Sequence, residues 1–171
     1  MTGIHRALAP TAADAASAGR ICPIDYNYPP AVFARPPDFA AETLYVVGGL
    51  YGNLAALTAL DTLAAAERVR PTIVFNGDFH WFDAEPDWFD AIEQGVAPHR
   101  ALRGNVETEI ARAENIGAGC GCAYPDQVGE DIVRRSNEIL AQLRASASPV
   151  ARARQRALPV HLVAQIGSVR V

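Results

Sequence analysis

The densest run of chemistry-bearing side chains is Gly77-Asp78-Phe79-His80-Trp81-Phe82-Asp83-Ala84-Glu85-Pro86-Asp87, which places His80, Asp83, Glu85 and Asp87 within nine residues of Asp78. Asp78 with His80 is a sensible donor pair for Zn, Mn or Fe, since these ions accept mixed oxygen and imidazole ligands. A second run, Gly104-Asn105-Val106-Glu107, adds an amide oxygen at Asn105 and a carboxylate at Glu107, with Glu109 close behind. A third, Gly48-Gly49-Leu50-Tyr51-Gly52-Asn53, is rich in glycine and opens a helical pattern. Backbone N–H groups there, at Gly52 and Asn53 above all, would suit a phosphate at a helix N-terminus. The plainer account of the first run is that Trp81, Phe82, Trp88 and Phe89 are buried anchors while the acids solvate the loop and cap the helix near Pro86.

Such groups meet only if the elements between them bring them together. Leu44-Tyr45-Val46-Val47 is a short apolar run ending in glycines, as a buried strand of a parallel sheet requires. Asn53 can cap the helix that follows, in which Leu54, Leu57, Leu60 and Leu63 recur as far as about Arg68. Thr72-Ile73-Val74-Phe75 begins a second unit, with a helix near Pro86 to Gln94, and Ala101-Leu102-Arg103 begins a third that runs into a polar, Glu- and Ala-rich segment. Beyond the glycine-rich loop at 117–125, an amphipathic helix is expected from Asp126 to about Arg144, with Val128, Ile132, Val133, Ile139, Leu140 and Leu143 as its apolar stripe. Ser146 to Arg156 reads as a connector, and Val160 to Val171 as a strand turning at Gly167-Ser168 into another. Strands alternating with helices predict an α/β domain with parallel pairing in its first half. Right-handed crossovers then gather the three polar loops on one sheet edge, where open α/β sheets place ligands.

Taken together, Gly49-Leu50-Tyr51-Gly52-Asn53, Gly77-Asp78 and Gly104-Asn105-Val106-Glu107 resemble the three strand-end motifs of the calcineurin-like metallophosphoesterase family: Asp-x-His-Gly-Asn, Gly-Asp, and Gly-Asn-His-Glu or Gly-Asn-His-Asp. The resemblance implies an α/β phosphoesterase sheet with flanking helices and a phosphoester as substrate. It also implies a pair of divalent cations about 3.5–4 Å apart that activate a bridging water. Asp78 stands at the position of the bridging carboxylate and Asn105 at that of an amide-oxygen ligand. Gly49 replaces the first motif's Asp, Tyr51 its His, and Val106 the third motif's His that assists the leaving group. The metal set expected here is therefore Asp78 and Asn105, with His80 and Glu107 as replacements, holding one Mn, Fe, Zn or Mg ion or none. Further histidine motifs that the family carries on later strands lie beyond Val171, so the fold is expected to be incomplete at the C-terminus, with a missing portion or a second copy as its cover.

Composition bounds the rest. The 171 residues suit one domain; a Thr-, Ser- and Ala-rich stretch to about residue 20 and a proline-rich, aromatic stretch to Asp38 form an N-terminal arm (1–38) before a domain at 39–171. A net charge of −4, with all 15 basic residues arginine, argues against a general nucleic-acid partner. No run of apolar residues is long enough for a membrane span or a signal peptide, so a cytoplasmic chain is expected. Cys120 and Cys122, with Cys22 apart, lack the spacing and fourth donor of a zinc site and read as free thiols. His161 fits a strand as a packed or surface residue, and His5 and His99 have no evident partner. Two functions stay open: a divergent metal-dependent phosphoesterase, or a non-catalytic domain, whole or fragment, that binds a phosphate or nucleotide.

Overall fold

The computed structural model describes residues 18–23 and 26–171. His5 and most of the stretch expected to be a mobile arm lie outside the described residues. Ala18 to Arg20, by contrast, are tied to the body of the protein. Gly19 donates to Ala118 and receives the Tyr124 N–H, while the Arg20 guanidinium donates to the carbonyls of Pro125 and Val128.

Three parallel strands carry the three expected loops. They are β2 (Leu44–Val47), β3 (Thr72–Phe75) and β4 (Arg100–Ala101), in the order β2-β3-β4, with Val47 opposite Phe75 and Phe75 opposite Ala101. A strand not anticipated from the sequence, β1 (Phe39–Ala41), precedes them. It pairs in parallel with β5 (Ala164–Ile166), which turns antiparallel into β6 (Val169–Arg170), so the chain builds two three-stranded sheets where one was expected. The expected strand from Val160 shortens to begin at Ala164.

Helix α1 (Leu54–Ala66) follows β2, α2 (Pro86–Val96) follows β3, and α3 (Asn105–Ala111) follows β4. Of α1's four leucines, Leu57 and Leu60 pack on the core while Leu54 and Leu63 are exposed. The cause is angular: at 100° per residue, positions nine apart sit on opposite sides of a helix. The polar segment after the third strand is helical with its first N–H groups accepted by Asp78, from the loop after the second strand. Helix α4 (Glu130–Ser146) starts four residues later than expected; Val133, Leu140 and Leu143 face inward, and Ile132 faces out.

The Ser146–Arg156 stretch is corrected from connector to helix. Ser148 caps α5 (Pro149–Ala157) by accepting the Ala151 N–H at 3.1 Å, and Pro149 occupies the first turn. Its arginines are anchors rather than solvent-facing charges: Arg154 binds the Glu93 carboxylate and carbonyl, and Arg156 binds the Ala111 carbonyl. One core cluster joins the parallel sheet to α1 and α2 through Ile73, Phe75, Phe79, Ile92 and Val96. The other packs Phe89, Val106 and Ile110 against Leu140 and Leu143 of α4 and Ala151 of α5.

Candidate functional site

All three loops meet at the carboxyl edge of β2-β3-β4. A cavity of about 300 Å³ there is lined by Tyr51 from the first loop, Asp78, Trp81 and Phe82 from the second, Asn105 and Val106 from the third, and Cys122 and Tyr124 from the glycine-rich loop. Asp78 and Asn105 are therefore neighbours on one surface. The Asp78 carboxylate receives the N–H of Val106 at 3.2 Å and that of Asn105, capping α3 from outside the helix. Burial raises its pKa, against the pull of those two N–H groups. Asp78 sits at φ 51°, in the left-handed region that aspartate tolerates better than most side chains.

Asn105 is held from the opposite side. Its amide nitrogen donates to the Cys120 carbonyl at 2.8 Å and to Cys122 Sγ at 3.4 Å. The amide oxygen is thereby left without a hydrogen bond among the described residues. The Cys122 thiol also lies against the Cys120 carbonyl, at 3.9 Å. Hydrogen bonding from Cys122 holds the Cys120 thiol down to about 7, and the same bond raises Cys122.

His80 and Glu107 lie beneath the cavity rather than on it. The Glu107 carboxylate is fully buried and receives four backbone N–H groups: Asp78 at 2.8 Å, Phe79 at 3.0 Å, His80 at 3.3 Å and Gly104 at 3.0 Å. It braces the second loop against the start of α3. Burial, with Asp78 adding to it, pushes its pKa up to about 7 against the opposing influence of His80. His80 has both ring nitrogens engaged, Nδ1 with Asp83 at 2.5 Å and Nε2 with Glu93 at 2.9 Å, and it stacks on Phe89 at 3.9 Å between ring centroids. Burial works to lower its pKa, but the two carboxylates overcome this and hold the imidazole at about 9. Neither side chain keeps an open lone pair for a ligand in the cavity.

Gly52 and Asn53 are also engaged. The Gly52 N–H donates to the Phe79 carbonyl at 2.8 Å, the Asn53 N–H to Leu50 at 3.1 Å, and the Asn53 side chain caps α1 by accepting from Ala56 at 3.0 Å. The donors expected for a phosphate are therefore satisfied within the fold. Of the aromatic anchors, Phe89 is fully buried, while Phe82 is 63% exposed and Trp88 is 40% exposed. His161 meets Tyr28 and Phe33 edge-on, and His99 lies against Phe75.

A binuclear metal centre does not fit these residues. A Cβ placed on Gly49 would lie 2.7 Å from the Tyr51 hydroxyl, so the Tyr51 ring fills the space from which a first-motif carboxylate would extend. Among the described residues no group of three or more His, Cys, Asp and Glu side chains is arranged to hold a metal ion. The oxygen donors that line the cavity are the Asp78 carboxylate and Asn105 Oδ1, the ligand type that hard cations take. Among the described residues no helix is long and apolar enough to cross a membrane. No protein-family model matches the chain, and a search of curated proteins finds no match to it.

Proposed function

We propose that this chain is a divergent calcineurin-like phosphoesterase domain whose rim cavity receives a phosphoester together with one divalent cation held by Asp78 and Asn105. The observation that carries this reading is the adjacency of those two side chains, from separate strand ends, on one cavity. Charge sets the condition for it. No arginine or histidine lines the cavity, and Asp78 is a carboxylate. Two unit charges at 4 Å interact by about 1 to 4 kcal/mol between bulk water and a protein surface, so a phosphate anion enters this cavity only with a cation to offset Asp78. Bound there, such a cation supplies neutralisation of the phosphate oxygens. Asn105 is pre-oriented for it by Cys120, and the Glu107 brace fixes the backbone from which Asp78 projects. With Val106 where the family has an acid and no place for a second metal, hydrolysis is slow and binding is the main activity.

The test is the disappearance of the free Mn²⁺ electron-resonance signal on adding protein and phenyl phosphate, followed by a phosphatase assay of the same mixtures. Asp78→Asn tolerates the same backbone conformation and keeps the fold. It is expected to weaken Mn²⁺-dependent phosphoester binding about tenfold or more, equivalent to about 1.4 kcal/mol. Binding that survives excess EDTA, or an unchanged Asp78→Asn, would refute the proposal.

A further inference from the structure

Building on that reading, we infer that the phosphoester carries a flat aromatic group on its alcohol side, a nucleobase or an aryl ring, seated by Tyr51, Trp81, Phe82 and Tyr124. These rings come from three separate loops and make up half of the eight residues around the cavity. Two of them are apolar surface that the fold leaves open, with Phe82 63% and Tyr51 48% exposed. Tyr51 lies over Gly49 and Phe82 is open to solvent, and the backbone beneath both is held in place. The Tyr51 N–H donates to the Asp78 carbonyl, and the Phe82 N–H donates to the Tyr51 carbonyl. The backbones that carry both rings are thus tied to the same turn that carries the Asp78 carboxylate. Tyr51 adopts φ 53°, an uncommon backbone conformation for a bulky side chain, and such strain concentrates at ligand sites. A cavity of about 300 Å³ lies at the lower end of small-molecule sites, enough for one ring and one phosphate. An aromatic face stacks on any planar π system, so the seat selects for flatness before it selects for hydrogen-bonding pattern.

The experiment compares phenyl phosphate with glycerol 2-phosphate by titration calorimetry on the whole chain in Mn²⁺. Stacking on a single aromatic side chain corresponds to roughly a five- to 150-fold gain in affinity. Phenyl phosphate is therefore expected to bind at least fivefold more tightly, and Phe82→Leu, at an exposed position that keeps apolar bulk, should lower that ratio while the other three rings keep it above one. Equal affinities in the wild-type chain overturn this inference and leave the phosphoester reading standing. A Phe82→Leu variant that retains the full ratio removes Phe82 from the seat and overturns the inference as stated. Failure of both esters to bind in Mn²⁺ overturns the phosphoester reading and this inference with it.

Discussion

His80 offers the most quantitative consequence of the site's architecture. It is a fully buried imidazole between two carboxylates, and Glu93 is itself held by Arg154 and Gln155. Its pKa rises from 6.5 to about 9. A difference of about 2.5 units at 1.36 kcal/mol each makes the protonated ring worth about 3 kcal/mol to the folded state. Because the folded value lies above the unfolded one, that contribution is fully present below about pH 6.5 and is lost as pH rises through about 9. Other groups titrate nearby. Glu107, raised to about 7, loses its contribution between about pH 4.5 and 7, and Cys120, lowered to about 7, works in the opposite direction from about pH 7 to 9. The observable is therefore the difference between the wild-type chain and His80→Gln, in which the Cys120 contribution cancels, whereas Glu93 and Glu107, both held down by His80, rise with its loss and oppose the narrowing of that difference with pH. At pH 6.5 the variant should be less stable by about 3 kcal/mol, since Asp83 loses its buried cation while Glu93 keeps Arg154 and Gln155. The gap should narrow by about 3 kcal/mol between pH 6.5 and 9. Urea unfolding followed through Trp81 and Trp88 fluorescence measures it, and a ring-proton titration of His80 by NMR needs no variant at all. A gap that stays flat across that interval, or a His80 ring that titrates near 6.5, refutes the reasoning.

Two substitutions test the frame around the cavity. Gly104→Ala would put a Cβ 2.7 Å from the Asp78 backbone nitrogen and into its carboxylate, so the capping group must move. The expected cost is about 1–3 kcal/mol in urea unfolding, together with loss of Mn²⁺-dependent phosphoester binding by electron resonance. Asn53→Ala removes the α1 cap and should cost about 1 kcal/mol. It should leave phosphoester affinity in place by calorimetry, because the Asn53 side chain is spent on Ala56; a large loss of affinity would restore Asn53 to the ligand.

What could be read ahead of the structure was what local pattern dictates. The runs Leu44–Val47 and Thr72–Phe75 are continuous apolar strands with glycine at their ends, and parallel pairing of such strands leaves little choice about where their loops gather. The α5 helix was hidden because three arginines and a proline read as polar linker. Only the structure shows those arginines reaching back to the carbonyls and carboxylates of α2 and α3. Ser148 followed by Pro149 was the available signal for its start. Strand β1 gave no local signal, since three residues with one aromatic carry no period, and its pairing with β5 is a contact across most of the chain.

At the site, residue type was a good guide to which groups matter and a poor guide to what each one does. Asp78, His80, Asn105 and Glu107 are all engaged around one edge, but they divide by burial. Two line the cavity, and two spend their polar atoms holding it in shape. Nothing in the spacing of Asp78 and His80 distinguishes a ligand pair from a ligand beside a brace, because that depends on Asp83 and Glu93 arriving at the two ring nitrogens. The departure at Gly49 is instructive for the same reason. Read along the chain, it is a glycine where the family motif it resembles has a carboxylate; in three dimensions it is room for the ring of Tyr51, two positions on. The two changes act as one, since an aspartate at 49 and the present Tyr51 ring cannot occupy the same space. A side chain placed there, as in Gly49→Ala, should therefore displace the Tyr51 ring, read as a shift of the Tyr51 ring protons by NMR.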